Sequence, residues 1–197
     1  MSSFFALLSR MRHISRWGLM RGQRENLQEH AAMTAILAHA LAVIRRDALG
    51  LPGPCPDAAA SAALFHDAAE ILTGDLPTPV KYFGPEIRDA YRRVEAAAAE
   101  RLCAMLPQAI RPVYRPLLTG GGDADVQAVV KAADKLAAYL KCVEELAAGN
   151  TEFTGAADNT LAKLRAMQRP EVDYFLEHFS AGFGGCLDEL TGGAEGG

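Results

Sequence analysis

The stretch Ala63-Leu64-Phe65-His66-Asp67-Ala68-Ala69-Glu70-Ile71-Leu72 sets an imidazole and two carboxylates into an otherwise apolar, alanine-rich helical segment. Adjacent helical side chains diverge by about 100°, so His66 and Asp67 do not stack, yet both can lean into one groove and grip one ion. Glu70 follows at i+4 from His66 and i+3 from Asp67, on the same side of the helix. A solvated helix face accounts for Glu70 by itself. It does not account for His66-Asp67, wedged between Phe65 and Ala68-Ala69.

Outward from this stretch the composition stays helical. Ala, Leu, Glu and Arg dominate and alternating β-branched runs are nearly absent, which predicts an all-α fold. Phe4, Leu7, Leu8 and Met11 are spaced for a first helix over residues 3–14, followed by a loop over 15–25. Asn26 reads as an N-cap with Glu29 at the reciprocal position, opening a helix to about Arg46. Asp57 caps a helix over 58–73, with Gly74 as its left-handed C-terminal residue. Asp75-Leu76-Pro77-Thr78-Pro79-Val80-Lys81 is an ordered loop stiffened by two prolines. Further helices are predicted over 85–106, 126–148, 159–168 and 170–179. Residues 107–116 read as irregular, Gly120-Gly121-Gly122-Asp123 as a flexible turn, and the glycine-rich tail from about Gly192 as frayed.

The 197 residues and 21.1 kDa fit one domain over 1–197, a single compact helical bundle that needs no staples. Half the residues are hydrophobic and 22% are charged, which excludes a disordered chain. A net charge of −4 and a pI near 5.7 argue against a nucleic-acid polymer as partner, while a local cationic pocket still suits a small anion. No apolar run approaches the ~20 residues of a membrane span. The N-terminal apolar stretch precedes its arginines, the reverse of a secretory signal, so the expected location is cytoplasmic, without membrane contact. Cys55, Cys103, Cys142 and Cys186 form no Cys-x-x-Cys pair and indicate neither a zinc knuckle nor a disulfide scaffold.

Two distant residues extend the polar cluster. His30 shares a helix face with Met33, Leu37 and Leu41 and points inward; alone it reads as a hydrogen-bonded core histidine. Asp134 lies mid-helix on a face with Val130, Ala137 and Ala138; alone it reads as a salt bridge to Lys131. Together, His30, His66, Asp67 and Asp134 supply two imidazoles and two carboxylates from three helices. That set leaves about two open positions on an octahedral ion, suiting Mn, Fe or Co better than a closed zinc site. A buried aspartate beside an imidazole is costly without a cation.

These four residues resemble the metal signature of the HD-domain phosphohydrolases, an all-helical superfamily. The flanks narrow the resemblance. Ser9-Arg-Met-Arg-His-Ile-Ser-Arg-Trp17, Glu29-His30, Phe65 through Tyr82, and Tyr139-Leu-Lys-Cys-Val-Glu-Glu-Leu-Ala-Ala-Gly-Asn150 are similar to the bacterial YfbR-like 5′-deoxynucleotidases, in the same order from Phe4 to about Leu190. The resemblance implies hydrolysis of deoxyribonucleoside 5′-monophosphates to deoxynucleoside and phosphate. It implies one divalent cation, Co2+, Mn2+ or similar, held by His30, His66, Asp67 and Asp134, and a homodimer. Arg16 would orient the phosphate and take part in catalysis, and Trp17 would contact the nucleotide. Glu70 would be the catalytic carboxylate. Asp67, Asp75, Leu76, Pro77 and Thr78 would line the substrate, the last four on its sugar side.

The chemistry of the residues agrees. A dianionic phosphate repels an attacking hydroxide, so cations belong near its oxygens, and the planar donor fork of Arg16 suits that task. A metal lowers the pKa of bound water, and Glu70 is placed to take its proton. No glycine-rich phosphate loop is present, which excludes P-loop hydrolysis. A related enzyme acting on a nucleoside triphosphate, a cyclic dinucleotide or a guanosine polyphosphate needs more cations than Arg16 with Lys81, and Lys81 itself reads as solvated. A silent helical binding module is expected to lack a ligand or Glu70, and none is lacking. Trp17, the one tryptophan, reads either as core or as a stacking platform for any base. His39 faces away from His30 and reads as surface; His13 and His178 have no acidic neighbours at ligand spacing.

Overall fold

Asn26 opens the helix around which the bundle is built. In the computed structural model, which describes residues 2–81 and 83–192 (Thr78 by its backbone alone), its side chain accepts the N–H groups of Gln28 and Glu29, each at 3.0 Å. Glu29 closes the box by accepting the Asn26 N–H at 2.9 Å. Both expected arms of the cap are present, which satisfies donors that a helix start otherwise leaves bare. The helix, α2 (Leu27–Val43), follows α1 (Phe4–Leu8) and a 3-10 turn (Ser9–His13), so the first predicted helix is split at Ser9. α2 ends in a π turn (Ile44–Ala48). Contrary to the expectation that no apolar run approaches a membrane span, Leu27–Ala48 is long and apolar enough by length and composition, but 56% of its most apolar stretch is buried inside the bundle. Its apolar face packs on α3 (Pro56–Phe65) and α8 (Ala124–Ala147).

The contact among these three helices is lined by Ala38, Ala42, Ala59, Ala63, Ala132 and Ala133, with Leu37, Leu41, Val129, Leu136 and Leu140 filling the remainder. Small side chains let helix backbones approach closely, which shortens the reach from each helix to a shared point.

The helix predicted over 58–73 is the main difference. Pro56 occupies its first turn, Cys55 rather than Asp57 is the N-cap, and the α-helix ends at Phe65. Residues 66–69 turn on i→i+3 bonds, Ala68 N–H to Phe65 O at 3.0 Å and Glu70 N–H to Asp67 O at 2.9 Å. α4 (Glu70–Thr73) then leads to Gly74, whose φ of 73° and ψ of 162° send the chain out extended instead of into a left-handed helical cap. That backbone region is open almost only to glycine. The predicted loop 75–81 contains a single helical turn, α5 (Thr78–Lys81).

α6 (Pro85–Ala104) and α8 stand close to expectation. The segment expected to be irregular holds α7 (Arg111–Thr119). Pro112 sits in its first turn, where a missing N–H costs nothing, and Pro116 is tolerated because Tyr114 and Leu118 pack with Phe4, Leu102 and Leu106. α9 (Thr154–Ala166) starts five residues before the predicted 159, after a 3-10 turn (Thr151–Phe153). α10 (Pro170–His178), a third 3-10 turn (Ser180–Gly184) and α11 (Leu187–Leu190) follow. Of the tail expected to fray, residues 193–197 lie outside the described residues. His39 is exposed as expected, 3.6 Å from Asp57.

Candidate functional site

The i→i+3 turn at 66–69 creates the site's local geometry. In such a turn residues three apart eclipse, so Asp67 and Glu70 project along one edge. The Ala63 carbonyl accepts the His66 Nδ1–H at 2.6 Å, fixing the ring with Nε2 toward the bundle interior. His66 Nε2 stands 3.0 Å from Asp67 Oδ2 and 4.0 Å from Asp134 Oδ1. From α2, fully buried His30 brings Nε2 to 3.1 Å from Asp134 Oδ1 and 3.8 Å from Asp67 Oδ2. One donor atom from each of His30, His66, Asp67 and Asp134 lies within 4.8 Å of the others. All four predicted ligands therefore converge.

The donor set fits a divalent cation on an observation independent of spacing. Among the described residues five buried side-chain nitrogen or oxygen atoms have no hydrogen-bond partner, and His30 Nδ1, His66 Nε2, Glu70 Oε2 and Arg16 Nε are four of them. Buried polar groups are rarely left in this state, and a cluster of them marks a missing ion or ligand. The electrostatics carry the same message. Burial disfavours the charged form of His66, but the carboxylates of Asp67 and Asp134 outweigh it and push its pKa up to about 9. Burial likewise works against the Asp134 carboxylate, and the His30 hydrogen bond, Lys135 and His66 overcome it and hold the group well below the usual range. Lys135, 2.9 Å from Asp134 Oδ2, is the salt-bridge partner; Lys131, the partner expected from sequence, is exposed.

Arg16 reaches the cluster from the 15–25 loop, its Nη1 bonded to Asp67 Oδ2 at 3.2 Å and its Nε 3.3 Å from Glu25 Oε2. Trp17 donates its indole N–H to the same Glu25 oxygen at 3.0 Å and packs on Phe153 with ring centroids 5.4 Å apart. It is half-buried, with a left-handed φ of 56°, and borders a cavity of about 390 Å³ with Arg16, Arg21, Arg24 and Phe153. Glu25 was not legible from sequence. It touches Arg16 and Trp17 and lies 3.8 Å from His30 Nδ1, and no local motif marks it because each of these contacts is set by the return of the loop.

Glu70 is buried, its Oε1 accepting from Lys81 Nζ at 3.0 Å. Burial and the Asp67 charge raise its pKa to about 7 against the opposing pull of Lys81. Lys81, read from sequence as solvated, is thus half-buried and engaged with Glu70, 3.7 Å from Glu95 and over the Tyr91 ring. Asp75, Leu76 and Pro77 are half-buried beside α4. Burial raises the pKa of Asp75, and the Arg16 charge acts against that rise. The side chain of Thr78 lies outside the described residues.

The family model described as 5′-deoxynucleotidase YfbR-like matches residues 3–183. The chain belongs to the YfbR-like 5′-deoxynucleotidase family. Within the family it is 48% identical over 193 residues to a 5′-deoxynucleotidase of Vibrio cholerae, covering 96% of this chain and 98% of that protein. It is 46% identical over 192 residues to the 5′-deoxynucleotidase YfbR of Escherichia coli, covering 96% of each. Among solved structures, an HD-domain phosphohydrolase from Listeria innocua superposes with a TM-score of 0.79 at 26% identity, covering 92% of this chain and 88% of that one. The fold of this YfbR-like chain is shared also by the cyanophage S-2L HD phosphohydrolase DatZ, solved bound to dA and one catalytic Zn2+ ion. That match has a TM-score of 0.63 at 21% identity, covering 90% and 96% of the two chains.

Proposed function

We propose that this YfbR-like chain removes the 5′-phosphate from deoxyribonucleoside 5′-monophosphates at the His30, His66, Asp67 and Asp134 cluster. One observation carries the reading: buried His66 Nε2 and Glu70 Oε2 lack a hydrogen-bond partner beside a point where two imidazoles and two carboxylates meet next to an arginine. When bound, a divalent ion supplies Lewis-acid polarisation of a phosphoryl oxygen and a water acidic enough to attack near neutral pH. Cobalt or manganese is the ion proposed for these N2O2 donors.

Arg16 binds the phosphate. Asp67 and Glu25 grip its guanidinium, so the cation is preorganised and little reorganisation accompanies the build-up of charge on the phosphoryl oxygens. Glu70 moves the proton. Lys81 occupies Oε1, leaving Oε2 for the attacking water, and a pKa of about 7 keeps both protonation states populated at neutral pH. Trp17 contacts the base, and Asp75, Leu76, Pro77 and Thr78 line the sugar. The enzyme works in the cytoplasm as a homodimer, a reading supported by four unpaired cysteines and by Phe83, Ile87 and Val94 exposed before and along α6.

A panel of phosphoesters on chelated and metal-restored protein tests this. Deoxynucleoside monophosphates are expected to be hydrolysed only after Co2+ or Mn2+ is restored. They should exceed the ribonucleotides by about 10²-fold or more in kcat/KM, with little dependence on base. Asp75→Ala should lose most of that ratio, because the wall beside the sugar loses its polar contact. Equal kcat/KM for the two sugars in the unaltered protein refutes the selectivity.

A further inference from the structure

The 139–150 segment singled out in the sequence supplies no residue to the reaction, yet it contains a buried carboxylate with three donors on it. Glu145, near the end of α8, is 4% exposed. Its Oε1 accepts from Lys141 Nζ at 2.6 Å and from the Gln23 backbone N–H at 2.8 Å, and its Oε2 accepts from Asn150 Nδ2 at 2.9 Å. Asn150 also donates to the Arg21 carbonyl, and its own N–H returns to the Glu145 carbonyl at 2.8 Å. Two backbone groups of the 15–25 loop are therefore held, directly or through Asn150, by one carboxylate on α8.

The other end of that loop is fixed separately. The Arg16 N–H reaches the Glu25 carbonyl and the Leu27 N–H the Ile14 carbonyl, both at 2.9 Å, closing the neck. The tip, however, rests on Glu145. Gly22 is the point of closest approach: a Cβ there would lie 2.7 Å from Glu145 Oε2 and 2.9 Å from Phe153 Cε2. Neither neighbour yields easily, since the carboxylate is bonded three times and Phe153 is 1% exposed. Gly22 is needed for space, not for an unusual φ.

Asp134 lies on the same helix, eleven residues before Glu145, a separation of about 16 Å along the axis. One rigid rod thus carries a ligand of the cluster at one station and the loop anchor at the other. We propose that Glu145 is a positioning residue: with Lys141, Asn150 and Gly22 it seats the 15–25 loop on α8, setting where Arg16 and Trp17 stand relative to the histidine–aspartate cluster. The inference rests on the phosphate-binding role given to Arg16 above.

Trp17 is the sole tryptophan, so its emission reports the loop without reference to turnover. The experiment compares Glu145→Ala, Glu145→Gln and Gly22→Ala with the unaltered protein. It measures Trp17 emission and acrylamide quenching, bound metal, and steady-state kinetics on a deoxynucleoside monophosphate. Glu145→Ala and Gly22→Ala are expected to shift emission to the red, increase quenching and lower kcat/KM by about 10- to 100-fold, the scale of an ångström-size misplacement, mainly through KM. Bound metal per chain stays at its original value. Glu145→Gln, which keeps an acceptor for the Gln23 N–H, recovers part of both signals. If Glu145→Ala does not fold, Gly22→Ala decides on the same readouts. Unchanged emission, quenching and KM in the folded variants overturn the proposal, and so does loss of metal alongside the kinetic defect. Should the unaltered protein hydrolyse no deoxynucleotide, the fluorescence arm still decides whether Glu145 seats the loop, and the failure belongs to the proposed activity.

Discussion

Glu70→Ala is expected to keep its metal and its affinity for deoxynucleotide while turnover falls by about 10²–10⁴, the span removed with a general acid–base group. Glu70 belongs to the eclipsed edge with Asp67 but is not among the four convergent donors. Its Oε1 is taken by Lys81 and its Oε2 is bare. A carboxyl group with one oxygen anchored and one free can hand over a proton along a fixed direction. The variant also leaves Lys81 without its nearer partner; Glu95 at 3.7 Å remains, so a buried uncompensated charge is not created. Because burial and Asp67 raise Glu70 to about 7, a base role makes activity climb with pH through that region and level off above it. Glu70→Gln should remove that limb of the pH profile. Stopped turnover with normal metal content supports the assignment, whereas metal loss makes Glu70 a ligand and ends it.

Whether a feature was legible in the sequence depended on how local its cause is. The Asn26–Glu29 cap is decided within four residues, and it forms as read. His30, His66, Asp67 and Asp134 were legible because each places a polar group on an apolar helical face, and burying all four requires that they meet. The break at His66 was not legible. Alanine-rich flanks favour an unbroken helix, and the i→i+3 turn is stabilised by tertiary contacts that seat His66 on the Ala63 carbonyl. α7 was hidden by its prolines, whose cost is offset by the packing of Tyr114 and Leu118 against residues from α1 and α6. Glu25, Lys81 and Glu145 act on partners brought together only by folding. The family resemblance over 139–150 includes Glu145 without saying what it holds.

Asp67→Asn is expected to weaken divalent metal binding by at least about 10²-fold, since the change keeps the shape and removes a charge that every other donor faces. Asp67 Oδ2 lies 3.0 Å from His66 Nε2, 3.2 Å from Arg16 Nη1 and 3.8 Å from His30 Nε2. The same residue links metal binding to protons. In the metal-free protein burial opposes a charged His66, yet Asp67 and Asp134 raise its pKa to about 9, so at pH 7 the ring carries a proton that a cation must displace. Loading should therefore release about one proton per chain at pH 7, and affinity should rise nearly tenfold per pH unit until it levels off above about 9. The linkage to folding has the matching sign: the metal-free protein gains stability from His66 below about pH 6.5 and loses it as pH rises through about 9. Titration calorimetry of the chelated protein in buffers of different ionisation enthalpy measures the released proton directly. In Asp67→Asn the larger of the charges holding that proton is gone, so fewer protons should leave on loading as well as less metal being held. Full metal stoichiometry with unchanged affinity in this variant would remove Asp67 from the ligand set, and a proton count near zero in the unaltered protein would remove His66.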